Sequence, residues 1–147
     1  MTEAKSAFVY VTYIRTTPEA LWTALTTAEF VKQYWFGMHL ETDWTPGATW
    51  KLRFPDGRIA DGGEILEIDR PRRLVLRWRN EMVPEFAQEG FARCSLELEP
   101  QGDVVRLTIN HSNDVPQSKF IAKVSGGWPR ILSNLKSLLE TGTVLLT

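Results

Sequence analysis

The sequence predicts an α+β fold: a curved antiparallel sheet of about six to seven strands wrapped around one long C-terminal helix, with two short helices after the first strand. Three observations predict it. The middle of the chain alternates apolar and polar residues with period two, between Pro-Gly and Asp-Gly turn signals. The last third carries Trp128, Ile131, Leu132, Leu135, Leu138 and Leu139 at the i, i+3, i+4, i+7 spacing of one helix face. A sheet with one apolar face must cover it, and that helix is the only long element available.

The elements follow in order. Residues 7–15 are β-branched and aromatic and read as a strand. In Thr17-Pro18-Glu19-Ala20, Thr17 suits an N-cap, Pro18 the first helical position and Glu19 the positive end of the dipole. Leu21, Trp22 and Leu25 continue that helix. Thr27 restarts a second one with Phe30, Val31 and Tyr34 on one face, and Gly37 ends it. Residues 38–43 form a strand and Pro46-Gly47 a turn. Residues 48–54 place Ala48, Trp50, Leu52 and Phe54 on one face. Pro55-Asp56-Gly57 signals a hairpin turn. Residues 59–69 are a strand in which Gly62-Gly63 marks a bulge or a close backbone approach. Residues 72–80 set Leu74, Leu76 and Trp78 against Val75, Arg77 and Arg79. The polar loop Asn80 to Gly90 holds Met82, Val83 and Phe86, the pattern of a lid over a cavity entrance. Residues 91–99 place Ala92, Cys94, Leu96 and Leu98 together, Pro100-Gln101-Gly102-Asp103 turns, and residues 104–111 place Val105, Leu107, Ile109 and His111 on one face. The final helix either starts near Pro129 or runs from about Ser118 and kinks there; Gly126-Gly127 favours a bend or small break, Lys136 supports its solvent face and Gly142 stops it.

Composition excludes several classes. At 147 residues the expectation is one domain spanning 1–147. A single cysteine, Cys94, excludes an intramolecular disulfide framework and a multi-cysteine zinc site, and fits a reduced cytoplasmic setting. Seventeen basic against eighteen acidic residues argue against a nucleic-acid binder. Met1-Thr2-Glu3-Ala4-Lys5 has no basic region leading into an apolar run, and no stretch is long enough for membrane insertion. His39, Cys94 and His111 have no metal-ligand spacing, and no phosphate loop, nucleophile elbow or dinucleotide fingerprint is present, so neither metal nor cofactor is expected.

Four segments carry a family resemblance: Thr17-Pro18-Glu19-Ala20-Leu21-Trp22-Thr23-Ala24-Leu25-Thr26; Tyr34-Trp35-Phe36-Gly37 with Asp43-Trp44-Thr45-Pro46-Gly47; the hairpin from Gly63 to Leu74; and Gly126-Gly127-Trp128 with Leu132, Leu135, Leu139 and Glu140. In this order they resemble the helix-grip fold of the SRPBCC superfamily, which includes START domains and polyketide cyclases. The branch they look most like is named after the activator of the 90-kDa heat-shock-protein ATPase. The resemblance implies a ligand cavity between sheet and terminal helix and no fixed catalytic motif. It does not by itself imply chaperone activation, because such folds host many functions.

Six tryptophans must be core or pocket. Trp22 reads as core and Trp44 as part of a turn. Trp50, Trp78 and Trp128 fall on inward faces, where they either pack a core or line an apolar pocket with Trp35 and Phe54. The candidate ligand-binding residues are Tyr34, Trp35, Trp50, Phe54, Trp78, Phe86, His111, Trp128 and Leu132. His111 reads either as a hydrogen-bonded histidine at a strand end or as a donor or acid/base at the pocket mouth, oriented by Asp114 if the loop folds back. Arg70, Arg72, Arg73, Arg77 and Arg79 read as a solvated face. Glu64 points inward if its strand is regular and outward if Gly62-Gly63 is a bulge.

The expected function is binding of a hydrophobic or aromatic small molecule. An enzyme of cyclase or hydrolase type would use His111 with Glu64 or Asp114. An interaction module for a chaperone or stress-response partner would need an apolar outer sheet face, which Lys51, Arg53, Arg77, Arg79, Arg93 and Glu97 make polar. A homodimer is left open.

Overall fold

The computed structural model describes residues 5–147; the start of the chain inspected for a targeting signal, residues 1–4, lies outside them. The element order is β1 (Ser6–Ile14), α1 (Pro18–Thr26), α2 (Ala28–Tyr34), β2 (His39–Glu41), β3 (Thr49–Arg53), β4 (Ile59–Asp69), β5 (Arg73–Asn80), α3 (Pro84–Ala87), β6 (Ala92–Gln101), β7 (Val104–Asn113) and α4 (Lys119–Thr141). The strands form one curved antiparallel sheet in the order β1-β7-β6-β5-β4-β3-β2. The first strand therefore pairs with the last, and β1 is an edge strand.

Local chemistry sets the helices. Thr17 caps α1, its Oγ1 accepting from Ala20 N–H at 3.1 Å, with Pro18 at the first helical turn. The α4 helix is continuous from its N-cap Ser118, whose hydroxyl accepts from Ile121 N–H at 3.0 Å. Of the two readings of Pro129, the long helix is the right one, and Gly126-Gly127 does not break it. Packing of Phe120, Ile121, Trp128, Ile131, Leu132, Leu135 and Leu138 against the sheet holds the helix across these three poor helix formers. Gly142 stops it at φ 87°, its N–H donating to Leu138 O at 2.9 Å.

Two polar clamps, one of them fully buried, tie loops to α4. Asn134 is fully buried; its Oδ1 accepts from Leu145 and Leu146 N–H, and its Nδ2 donates to Leu146 O at 3.0 Å and Tyr34 O at 3.4 Å. Glu89 caps the start of α4, accepting from Lys119 N–H at 2.9 Å and from the Ser118 hydroxyl. Lys119 pairs with Glu85 at 3.1 Å. The segment between β5 and β6, expected to be a loop, contains the short helix α3 and is strapped at this point to α4.

The register decides two open readings and corrects a third. Gly62-Gly63 is a close approach and not a bulge: Trp50, Gly63 and Trp78 stand directly opposite one another. A Cβ on Gly63 would lie 1.8 Å from the backbone oxygen of Arg77, so only glycine fits. The bulge falls instead between Ile65 and Glu67, which leaves Leu66 37% exposed. Glu64 consequently points outward, opposite Arg77 at 3.9 Å, while Ile68 beyond the bulge turns inward opposite Leu74. A second irregularity, between Leu52 and Arg53, ends the alternation of β3 before Phe54.

The outer sheet face is less polar than expected. Arg72, Arg73, Arg77 and Arg79 are paired with acidic neighbours there. However, Val9, Val11 and Tyr13 of β1 are 56%, 45% and 48% exposed, and form an apolar stripe on an edge strand.

Candidate functional site

The site grows from the Trp50–Gly63–Trp78 rung. Because Gly63 has no side chain, the Trp50 indole lies across it and donates from Nε1 to Arg77 O at 3.0 Å. Its ring then meets Trp78 edge-on, with centroids 4.7 Å apart. Trp35, the residue capping the C-terminus of α2, stacks on Trp78 at 6.1 Å. Trp128, from the inward stripe of α4, meets Trp35 at 5.3 Å and Trp78 at 5.8 Å. Four tryptophans from α2, β3, β5 and α4 thus surround one apolar chamber, completed by Tyr34, Leu132, Leu52 and Leu76 among others. Trp44, expected only in a turn, also lines it. Trp22 is core, at 2% exposure.

The chamber itself encloses only about 40 Å³. That is room for a few waters at most, several-fold below the roughly 300 Å³ of an ordinary small-molecule site. On the side toward α4 it adjoins an open groove of about 150 Å³, whose walls share Trp35, Trp78 and Trp128 with the chamber and add Asp61, Asn80, Phe120 and Lys123. A cavity of about that volume holds a benzene-sized ring.

Asp61 is the polar centre of this groove, and sequence reasoning missed it. Its Oδ1 accepts from Trp78 Nε1 at 3.1 Å and Asn80 Nδ2 at 3.2 Å. Asn80 is itself oriented, because its Oδ1 accepts from Met82 and Val83 N–H at 3.0 and 2.8 Å. Burial pushes the Asp61 carboxyl up to about 6, against the two hydrogen bonds that lower it; the Glu81 charge adds a smaller upward push. The signal for it was available: counting back by two from the inward Gly63 places Asp61 on the same face.

Three predicted residues lie off the chamber lining. Phe54 follows the β3 irregularity and stacks instead beneath the Arg58 guanidinium at 5.0 Å. Phe86 on α3 packs on Phe120 at 6.1 Å. His111 sits behind the tryptophans, fully buried, with its Nδ1 accepting from Trp128 Nε1 at 3.0 Å. That bond fixes the neutral tautomer with the proton on Nε2, which has no hydrogen-bond partner among the described residues. Burial drops the His111 imidazole to about 3. It orients the Trp128 wall and stays neutral. Asp114, its expected orienter, is exposed and pairs with Lys5 at 3.3 Å. The combination of His111 with Glu64 or Asp114 is therefore not assembled. Burial also raises the Tyr34 phenol and the Cys94 thiol well above their usual ranges, so both stay protonated. Among the described residues no three His, Cys, Asp or Glu side chains converge as for a metal ion, and no helix is long and apolar enough to cross a membrane.

Comparison with known proteins matches residues 15–140 to a family described as Activator of Hsp90 ATPase homolog 1-like protein. No curated protein matches. Among solved structures, the Aha1 dimer from Colwellia psychrerythraea is similar at 23% identity and TM-score 0.77, over 93% of this chain and 98% of that one. A protein from Mesorhizobium loti is similar at 21% identity and TM-score 0.79, over 92% and 97%. An HSP90 activator from Plasmodium falciparum is similar at 21% identity and TM-score 0.74, over 90% and 95%. At these identities the structures share the fold.

Proposed function

The chain belongs to the Activator of Hsp90 ATPase homolog 1-like family, and on that premise we propose that it is a cytoplasmic, one-domain binding protein for a small hydrophobic molecule held between sheet and α4. The observation that carries this reading is the convergence of Trp35, Trp50, Trp78 and Trp128 on one apolar chamber. Tyr34 and Leu132 complete its walls, and His111 holds Trp128 in place. Burying one aromatic ring against these indoles is worth a few kcal/mol, at about 25 cal/mol per Å² of apolar area. The size of chamber and groove favours a single-ring ligand whose entry pushes one wall outward. The segment carrying Phe86 lies beside the groove through Phe120 and serves as its lid.

The test is a titration with toluene. The expected result is a saturable change in tryptophan fluorescence and a rise in the urea midpoint that follows the logarithm of ligand concentration. A linear, unsaturable response up to the solubility limit, with an unmoved midpoint, removes the reading.

One observation favours a second reading, contact with another protein. Val9, Val11 and Tyr13 form an exposed apolar stripe on a strand with one unpaired edge. One similar structure is of a dimer and another is of an HSP90 activator. A second copy or a chaperone would dock on this face. Light scattering is expected to show concentration-dependent association, or Hsp90 to bind, in wild type and not in Val11→Lys. A strictly monomeric protein that ignores Hsp90 sinks this reading.

A further inference from the structure

We infer that the groove beside the chamber recognises an organic cation: a small amine on an aromatic or apolar body, with its ammonium on Asp61. This deepens the binding reading above and rests on it. The two donors that reach Asp61 share one of its oxygens: Trp78 Nε1 and Asn80 Nδ2 both donate to Oδ1. Asn80 cannot turn its amide away without losing the Met82 and Val83 N–H bonds, so this arrangement is rigid. Oδ2 has no donor among the described residues, and it is not sealed off from solvent as His111 Nε2 is. It is the free acceptor in a groove that Asp61 lines. No lysine, arginine or histidine pairs with Asp61 among the described residues, although surface carboxylates elsewhere on the sheet are paired.

A half-buried carboxylate with one oxygen unused is costly unless a cation or strong donor completes it. The rest of the groove suits the body of such a ligand. Trp35, Trp78 and Trp128 form its floor, and indole is the best aromatic surface for a neighbouring cation. Lys123, the one cation lining the groove among the described residues, is exposed on α4. It is the group that would instead favour an anionic ligand, so the probes must separate the two.

The experiment compares three probes of similar size by calorimetry: 2-phenylethylammonium, neutral 2-phenylethanol and phenylacetate. A charge-assisted hydrogen bond predicts that the amine binds about tenfold or more tighter than the alcohol, with the carboxylate weakest. In Asp61→Asn, whose amide oxygen still accepts from Trp78 and Asn80, the amine is expected to lose its advantage over the alcohol. An alcohol that binds as tightly as the amine overturns the cation assignment and leaves the chamber reading standing. A carboxylate that binds tightest overturns it in favour of Lys123. Failure of all three to bind overturns both readings.

Discussion

Replacing Trp78 by alanine is expected to lower the unfolding free energy by about 3–5 kcal/mol, the range for large aromatic truncations in a core. Trp78 is 5% exposed and touches Trp35, Trp50, Trp128 and His111. Its loss therefore removes the ring on which the other three indoles rest. The small chamber offers them no position to collapse into without moving backbone, because Gly63 pins the β4–β5 approach underneath. The variant also deprives Asp61 of one of its two donors. Urea unfolding reads the first effect directly. A loss below about 1.5 kcal/mol, the size of a volume-conserving swap, would mean that the tryptophans do not pack as one unit.

The second large effect is in the pH dependence of stability. His111 is neutral in the fold with its pKa lowered to about 3, whereas the unfolded chain protonates near 6.5. Its contribution is fully present above 6.5 and is lost as pH falls toward 3, in total on the order of 5 kcal/mol at 1.36 kcal/mol per unit. Asp61 runs the other way. Its folded pKa is raised to about 6 from 3.8, so the fold binds its proton more tightly than the unfolded chain does. That contribution is present below 3.8 and is lost as pH rises through 6, on the order of 3 kcal/mol. Between about pH 6 and 4 the two slopes cancel. The wild type is expected to show a nearly flat stability there and a steep loss below pH 4. The lowered carboxyls of Glu41, Asp56 and Glu140 add to that acid loss, since the stability they supply disappears as they protonate. Asp61→Asn is expected to be more stable at pH 7 and to slope by about 1.4 kcal/mol per pH unit from 6 downward. A variant as flat as wild type between pH 6 and 4 would refute the assignment of these two opposed groups.

Much of the architecture was legible in the chain because its signals are local. The bounds of β4 follow from the turn signals on either side of it, and α1 follows from Thr17 and Pro18. The inward positions of Trp50, Trp78 and Trp128 follow from period alone. What failed did so where backbone register departs from a strict period. Gly62-Gly63 reads equally as a bulge or a close approach, and the true bulge at Leu66 has no turn residue to announce it. That ambiguity leaves Glu64 open in the sequence and keeps Asp61 from being counted inward. The β3 irregularity likewise carried Phe54 away from the chamber. His111 lay on the predicted face, yet whether it lines a space or stands behind one depends on the rings of Trp78, Phe120 and Trp128 around it. Such depth is a property of tertiary packing, and no periodicity encodes it. The exposed stripe of β1 was hidden for a similar reason: only the sheet order makes that strand an edge.

The central claim is that the space bounded by the tryptophans receives a ligand. The most direct measurement is a set of intermolecular nuclear Overhauser contacts between bound toluene and the protein at saturation. The account predicts contacts to the indole protons of Trp35, Trp78 and Trp128 together. Contacts confined to Val9, Val11 and Tyr13, or none at all, would contradict it.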